Sequence, residues 1–290
     1  MIDVLRAGAL TTVQDAGRAG HAHLGVPAAG ALDGPALCLA NRLVGNDERA
    51  AALEITVTGC RLRFRRASII AVTGARAARL TVDGRSVDAG VPVPVPAGAV
   101  LDVGPASAGV RTYLAVTGGV DVPPVLGSRS TDTLSGLGPP PLRDGDAVPV
   151  GPAQGPPAAV WFGVPPPLRD AVELRVTPGP RWDWFTAAAR DTFTGATYTV
   201  SPKSNRVAAR LTGPTLDRAV TGELPSEGLV LGAVQVPASG EPLVFLADHP
   251  TTGGYPVIGV VEPADLPLLA QSRPGTAVTF TRAIGGHAWT

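Results

Sequence analysis

The sequence predicts an all-β fold built from two related halves, with a few short helices. Three observations carry this. Glycine (36) and proline (30) are abundant in the 290 residues and fall between short runs rich in Val, Leu and Thr. That punctuation marks a turn-rich β protein rather than a disordered chain. Strand-like runs recur at short, regular spacing, as in barrels and sandwiches. Finally, a set of short words occurs twice in the same order. Tyr113-Leu114-Ala115, Gly118-Gly119, Pro124-Val125-Leu126-Gly127 and Gly145-Asp146-Ala147-Val148 form the first set. Phe245-Leu246-Ala247, Gly253-Gly254, Pro256-Val257-Ile258-Gly259 and Gly275-Thr276-Ala277-Val278 form the second. Two copies of one β-barrel with different ligand loops account for the repeat.

Taken in order, Ile2–Leu5 and Leu10–Gln14 read as strands. A glycine-rich loop, Asp15–Asp33, follows and carries Arg18, His21 and His23. Loops of this length inside a domain are usually functional or disordered, and the density of Gly17, Gly20, Gly25, Pro27 and Gly30 argues for order. One His-x-His without carboxylate or cysteine neighbours is not a metal set, so no metal is expected. Asp33 caps a helix from about Pro35 that stops at Gly45-Asn46. Strands are expected at Ala52–Thr58, Arg61–Phe64, Ser68–Val72, Ala78–Val82, Val91–Val95, Val100–Val103, Thr112–Val116 and Val148–Val150. The proline clusters Pro152, Pro156-Pro157 and Pro165–Pro167 mark a connection over 152–170 between domains 1–151 and 171–290. In the second domain, strands are expected at Val172–Val176, Thr197–Ser201, Ala208–Leu211, Val257–Val261 and Ala277–Thr281. A helical piece is expected over Trp182–Arg190 and a turn over Glu262–Pro267.

The most informative stretch is Glu227–Gly254. Leu229–Val236 and Pro242–Ala247 flank the turn Ala238-Ser239-Gly240 and predict a β-hairpin. Its second strand delivers Asp248 and His249 into Pro250-Thr251-Thr252-Gly253-Gly254-Tyr255. An acid, an imidazole, hydroxyls and two glycines at the end of a buried strand suit a small polar ligand. The same residues also suit an ordinary polar turn.

Composition narrows the partners. The chain is 44% hydrophobic and formally neutral, with 24 basic and 24 acidic residues. That balance offers no electrostatic footprint for nucleic acid or an anionic membrane. No apolar run approaches the ~20 residues of a membrane span, and the N-terminus does not read as a secretory leader. A soluble, cytoplasmic protein is expected. Cys38 and Cys60 read as small buried hydrophobes.

Several blocks together resemble the biotin-dependent carboxyltransferase A/B family. That group includes allophanate hydrolase subunit 2, KipA-type proteins and the C subunit of 5-oxoprolinase. The blocks are TTVQDAGRAGHAHLGVPAAGALD, LEITVTG, GSRSTDTLSGLG, SNRVAARLTGP, SEGLVLGAVQVP and LADHPTTGGYPVIGVV, in that order. Two departures stand out: His249-Pro250 precedes the Thr-Thr-Gly-Gly run, and Asn205 and Val207-Ala208 replace the usual Asp and Met-Gly. The resemblance implies two tandem cyclophilin-like β-barrel domains. It also implies a KipI-type partner protein in a heteromer, and, in an oxoprolinase, a LamB/YcsF-type partner as well. Lys203, the only lysine, lies in SPKSN rather than in a Met-Lys-Met turn, so no biotin is expected on this chain. There is no G-x-x-x-x-G-K-[ST] phosphate loop either.

The reading favoured by this resemblance is the C subunit of an ATP-dependent 5-oxoprolinase, inactive by itself, acting on a small-molecule amide. A urea-degrading carboxyltransferase or allophanate hydrolase-type component, and a KipA-type regulatory partner of a kinase inhibitor, are the alternatives. Asp248 and Glu227 are the candidate bases. Arg18, Asn205, Arg206, Gln235, Thr251, Thr252, Gly253, Gly254 and Tyr255 are the candidate substrate- and phosphate-binding set. The segments Asp15–Gly25, Ser204–Arg206, Ser226–Gln235 and Asp248–Tyr255 are expected to line one pocket.

Overall fold

A computed structural model describes residues 1–153, 155–156 and 168–283. Most of the proline-rich connection therefore lies outside the described residues. The chain forms two compact units that interleave in sequence. The first holds Met1–Arg18, Ala29–Asp132 and Gly136–Leu168; the second holds Ala19–Ala28, Thr133–Ser135 and Arg169–Thr290.

The first unit contains strands β1 (Ile2–Arg6), β2 (Leu10–Gln14), β3 (Ala52–Thr56), β4 (Cys60–Phe64), β5 (Ser68–Ala77) and β6 (Leu80–Val82). It continues with β7 (Arg85–Ser86), β8 (Val93–Val95), β9 (Val100–Val103), β10 (Ala106–Val116) and β11 (Ala147–Val148). They pair as a six-stranded sheet, β11-β1-β4-β9-β6-β7, and a five-stranded sheet, β2-β3-β10-β5-β8. Period-two alternation turns Ile2, Val4, Leu62, Phe64 and Leu101 of one sheet into a shared core with Leu53, Ile55, Ile70, Val72 and Leu114 of the other. The other face of the five-stranded sheet carries Ala52, Ala71, Tyr113 and Ala115. Three alanines leave room for helix α1 (Gly34–Leu43), which packs there through Ala36, Leu37, Ala40 and Leu43. Asp33 caps that helix by accepting from Ala36 N at 3.0 Å, and Pro35 occupies its first turn.

The second unit is built on β12 (Ala171–Pro178), β13 (Thr197–Val200), β14 (Ala208–Thr212), β15 (Glu227–Gly228) and β16 (Ala233–Gln235). It adds β17 (Leu243–Phe245), β18 (Thr252–Gly253), β19 (Val257–Val261) and β20 (Ala277–Arg282). Seven of them close a barrel in the order β12-β19-β16-β17-β14-β13-β20. Closure needs β20 to pair in parallel with β12, from Ala171↔Ala277 to Val176↔Arg282. A barrel leaves no unpaired sheet edge. Phe193 from α2 (Ala187–Gly195) packs at 4.6 Å against Phe280, and Tyr198 lies 5.7 Å from the same ring. β15 and β18 stand apart as a two-stranded ribbon.

The all-β class holds. The expected hairpin forms, with Val234 opposite Val244, but it is shorter than expected. Leu231-Gly232 turns instead of extending, with Gly232 at φ 83°, a conformation glycine adopts without strain. The expected turn at Glu262–Pro267 is a 3-10 turn, Pro263–Asp265, running into α3 (Leu266–Ala270). Both prolines sit in first-turn positions, where a missing N–H costs nothing. Cys60 is buried as expected, whereas Cys38 is only half-buried. Among the described residues no helix is long and apolar enough to cross a membrane.

Candidate functional site

The candidate residues of the second unit gather in two adjoining groups. In the first, Asn205 shapes a tight loop: its side-chain oxygen accepts from Val207 N at 2.9 Å and Ala208 N at 3.2 Å. The loop turns Arg206 inward, where it is 2% exposed, and Asp248 is fully buried. Arg206 Nε donates to Asp248 Oδ2 and Nη2 to Oδ1, both at 2.9 Å, a bidentate charge-assisted pair. The backbone repeats the link, with Asp248 N donating to Arg206 O at 3.1 Å. Thr133 completes the carboxylate shell through its N–H at 2.9 Å and its hydroxyl at 2.6 Å, both to Oδ2. With four donors on two oxygens, this carboxylate has little capacity left for a substrate proton.

In the second group, Glu227 on β15 stands opposite Gly253 on β18, and Gly228 opposite Thr252. Leu229 N donates to Thr251 O at 2.9 Å and extends the ribbon. Gln235 is buried on β16 and donates through Nε2 to Tyr255 O at 2.8 Å. The glycines sit in close packing. A Cβ on Gly253 would fall 2.7 Å from Leu229 Cδ1 and 3.1 Å from Gln235 Nε2; one on Gly254 would fall 3.2 Å from Leu224 O. Arg181, which sequence reasoning missed, grips Glu227 with Nε to Oε2 at 3.0 Å and Nη2 to Oε1, while its guanidinium stacks 5.3 Å over Trp184. The hydrogen bonds from Arg181 hold the Glu227 carboxyl below the usual glutamate range. The Glu227 side chain is 31% exposed, so it remains reachable. His249 donates from Nδ1 to Pro250 O at 2.7 Å and lies 6.1 Å from the Phe245 ring.

Segments 204–206, 226–235 and 248–255 thus share one region of the second unit. Arg18 belongs to the first unit, where its Nε donates to Val125 O at 3.3 Å and its Nη2 to Ser130 O. Beside it Asp15 collects Ser128 Oγ, Ser130 Oγ and Arg129 N, each at 2.6 Å. The opening motif therefore builds a polar knot with the GSRST segment. His21 and His23 flank a 3-10 turn, Ala22–Leu24, and no group of three or more metal-ligating side chains occurs among the described residues.

The chain is thus all-β, with a closed barrel and a glycine-lined ribbon beside a buried Arg–Asp pair. Residues 24–282 match the model for the carboxyltransferase domain, subdomain A and B, and the chain belongs to that family. It is 41% identical to the C subunit of 5-oxoprolinase from Escherichia coli K12, over 97% of this chain and 91% of that protein. It is 35% identical to the protein of the same name from Haemophilus influenzae, over 97% of this chain and 90% of that one. Urea amidolyase of Saccharomyces cerevisiae is 34% identical over 96% of this chain, which spans only 16% of that protein. Among solved structures, TTHA0988 superposes with a TM-score of 0.87 at 39% identity over 97% of this chain. This chain spans about half of it, 55%. The Kluyveromyces lactis urea amidolyase gives a TM-score of 0.89 at 31% identity, over 97% of this chain and 18% of that one.

Proposed function

We propose that this chain is the C subunit of an ATP-dependent 5-oxoprolinase, a lactam hydrolase that opens 5-oxoproline to glutamate. One observation carries the reading: 41% identity to a protein of that name with 97% of this chain and 91% of the relative aligned. A lactam amide is a poor electrophile. Phosphorylation of its oxygen by ATP activates the ring carbon. Water adds, the C–N bond breaks as the nitrogen takes a proton, and the acyl phosphate so formed is hydrolysed to glutamate and phosphate. These steps need a base for the water and donors for the oxyanion. Of the two carboxylates, Glu227 has the reach for the base role, since Asp248 is saturated by Arg206 and Thr133. Asp248 instead sets the position of Arg206 and the start of the 248–255 loop. Backbone N–H groups of Thr252 and Gly254 are the oxyanion donors in this scheme, that of Gly253 being paired with Glu227 in the ribbon, and Asn205, Gln235, Thr251 and Tyr255 shape the surrounding loops. A KipI-type protein and a LamB/YcsF-type protein supply the rest of the machinery, including the nucleotide site.

The test is reconstitution. The three proteins together should release glutamate from 5-oxoproline only with ATP, and without biotin or bicarbonate. A second reading rests on the 34% identity to urea amidolyase. Activity that needs bicarbonate, or that avidin abolishes, would decide for that carboxyltransferase reading.

A further inference from the structure

Three guanidinium groups line the region around the Glu227–Tyr255 loops, and they differ in what holds them. Arg206 is taken up by Asp248, and Arg181 by Glu227. Arg218 makes no ion pair among the described residues. It is half-buried, and only Val236 O takes one of its N–H groups, at 2.5 Å. Its guanidinium carbon lies 5.9 Å over the ring of Tyr255, which is 49% exposed. The backbone around it is fixed: Ala219 N and Val220 N donate to Trp184 O at 2.8 and 3.2 Å, and Phe185 bridges to Arg218. The carbonyl it holds belongs to the residue after Gln235, and Val236 N in turn donates to Pro256 O at 3.1 Å. Arg218 is therefore locked to the same Gln235–Pro256 junction that presents the candidate loop, with most of its donors uncommitted.

An uncommitted, half-desolvated guanidinium within cation–π range of an aromatic ring is a receptor for a carboxylate. The Val236 hydrogen bond and the nearby Tyr255 ring restrict its position, so less conformational freedom is lost on binding. We infer that Arg218 is a specificity-determining residue that binds the α-carboxylate of the lactam substrate. This rests on the oxoprolinase reading, in which the substrate, 5-oxoproline, carries a carboxylate beside its lactam ring. Arg218 would then orient the ring, leaving the lactam carbonyl to the Thr252 and Gly254 backbone.

The experiment compares two lactams in the reconstituted three-protein complex: 5-oxoproline and pyrrolidin-2-one, the same ring without the carboxylate. Losing a hydrogen bond to a charged group should raise the KM of Arg218→Met for 5-oxoproline about 10- to 150-fold. Its kcat should stay within about twofold, and its KM for pyrrolidin-2-one should not move. Arg218→Lys, which keeps the charge but not the fork, should lose less. An unchanged KM for 5-oxoproline overturns the assignment. So does an equal rise for both lactams, which would mark a distorted loop. If the wild-type complex turns over neither lactam, the oxoprolinase reading falls separately. Equilibrium dialysis of labelled 5-oxoproline then decides on Arg218: weaker binding by Arg218→Met supports it, and equal or absent binding overturns it.

Discussion

Asp248 and Glu227 show how little residue type alone says about role. Both are acids at the edge of the same glycine-rich loops, yet one is fully buried against Arg206 and the other is 31% exposed. Removing one partner of a buried ion pair leaves the other charge uncompensated, at a cost of about 3–5 kcal/mol. Asp248→Asn should therefore lower stability by about that much in urea denaturation of the isolated chain. A variant of wild-type stability would remove the positioning role. Glu227→Gln should leave stability nearly unchanged and reduce turnover of the complex by about 10²–10⁴-fold, the usual range for a lost general base. A full-rate Glu227→Gln complex would clear it of that role. Cys60 gives a simpler check. Burial pushes its thiol up to about 12, so at pH 8 it should react with a disulfide reagent only after unfolding. Rapid labelling of Cys60 in the native chain would contradict its burial.

At the scale of elements, Arg175 and Asp265 tie the turn before α3 to β12. Asp265 accepts from Arg175 N at 2.8 Å, Nε at 2.9 Å and Nη2 at 2.7 Å. Burial pushes its carboxyl up, but the Arg175 hydrogen bonds and charge outweigh that, and its pKa is lowered overall. A carboxyl lowered on folding stabilises above its unfolded pKa, ~3.9, and that stability is lost as pH falls through the folded value. Asp265→Asn should thus cost about 1–3 kcal/mol at neutral pH, with the gap to wild type closing below about pH 4. A gap that is constant from pH 7 to pH 3 would point to packing instead. Elements with local signals were legible in the sequence. Helix α1 was announced by Asp33, Pro35 and Gly45, and the β16–β17 hairpin by its apolar runs and Gly240. What the sequence hid is long-range. Thr133 meets Asp248 across 115 residues and Arg181 meets Glu227 across 46, and no periodicity encodes such partners. The β15–β18 ribbon was hidden for the same reason, since two-residue strands carry no pattern of their own.

At the scale of the whole chain, the two units solve the packing problem of a β-rich sequence differently. The first closes two sheets over one core and uses small residues, Ala52, Ala71 and Ala115, to seat a helix. The second closes a single barrel and leaves its polar loops to Glu227 and the 248–255 segment. Neither arrangement comes with the glycine-lysine phosphate loop that would cradle a nucleotide in this sequence. Under the proposed function, the nucleotide chemistry belongs to the partner proteins. The chain alone should show no ATP-dependent release of glutamate from 5-oxoproline. Mixed with a KipI-type protein at micromolar concentration, it should give a light-scattering mass above that of either protein. Exposed apolar side chains of the second unit, Leu24 at 61% and Val230 at 55%, are surface that such association can cover. Two species that stay separate at those concentrations would refute the assembly, and turnover by the chain alone would refute the division of labour. Complex formation without turnover until the LamB/YcsF-type protein is added would place the nucleotide chemistry in the partners and leave substrate recognition here.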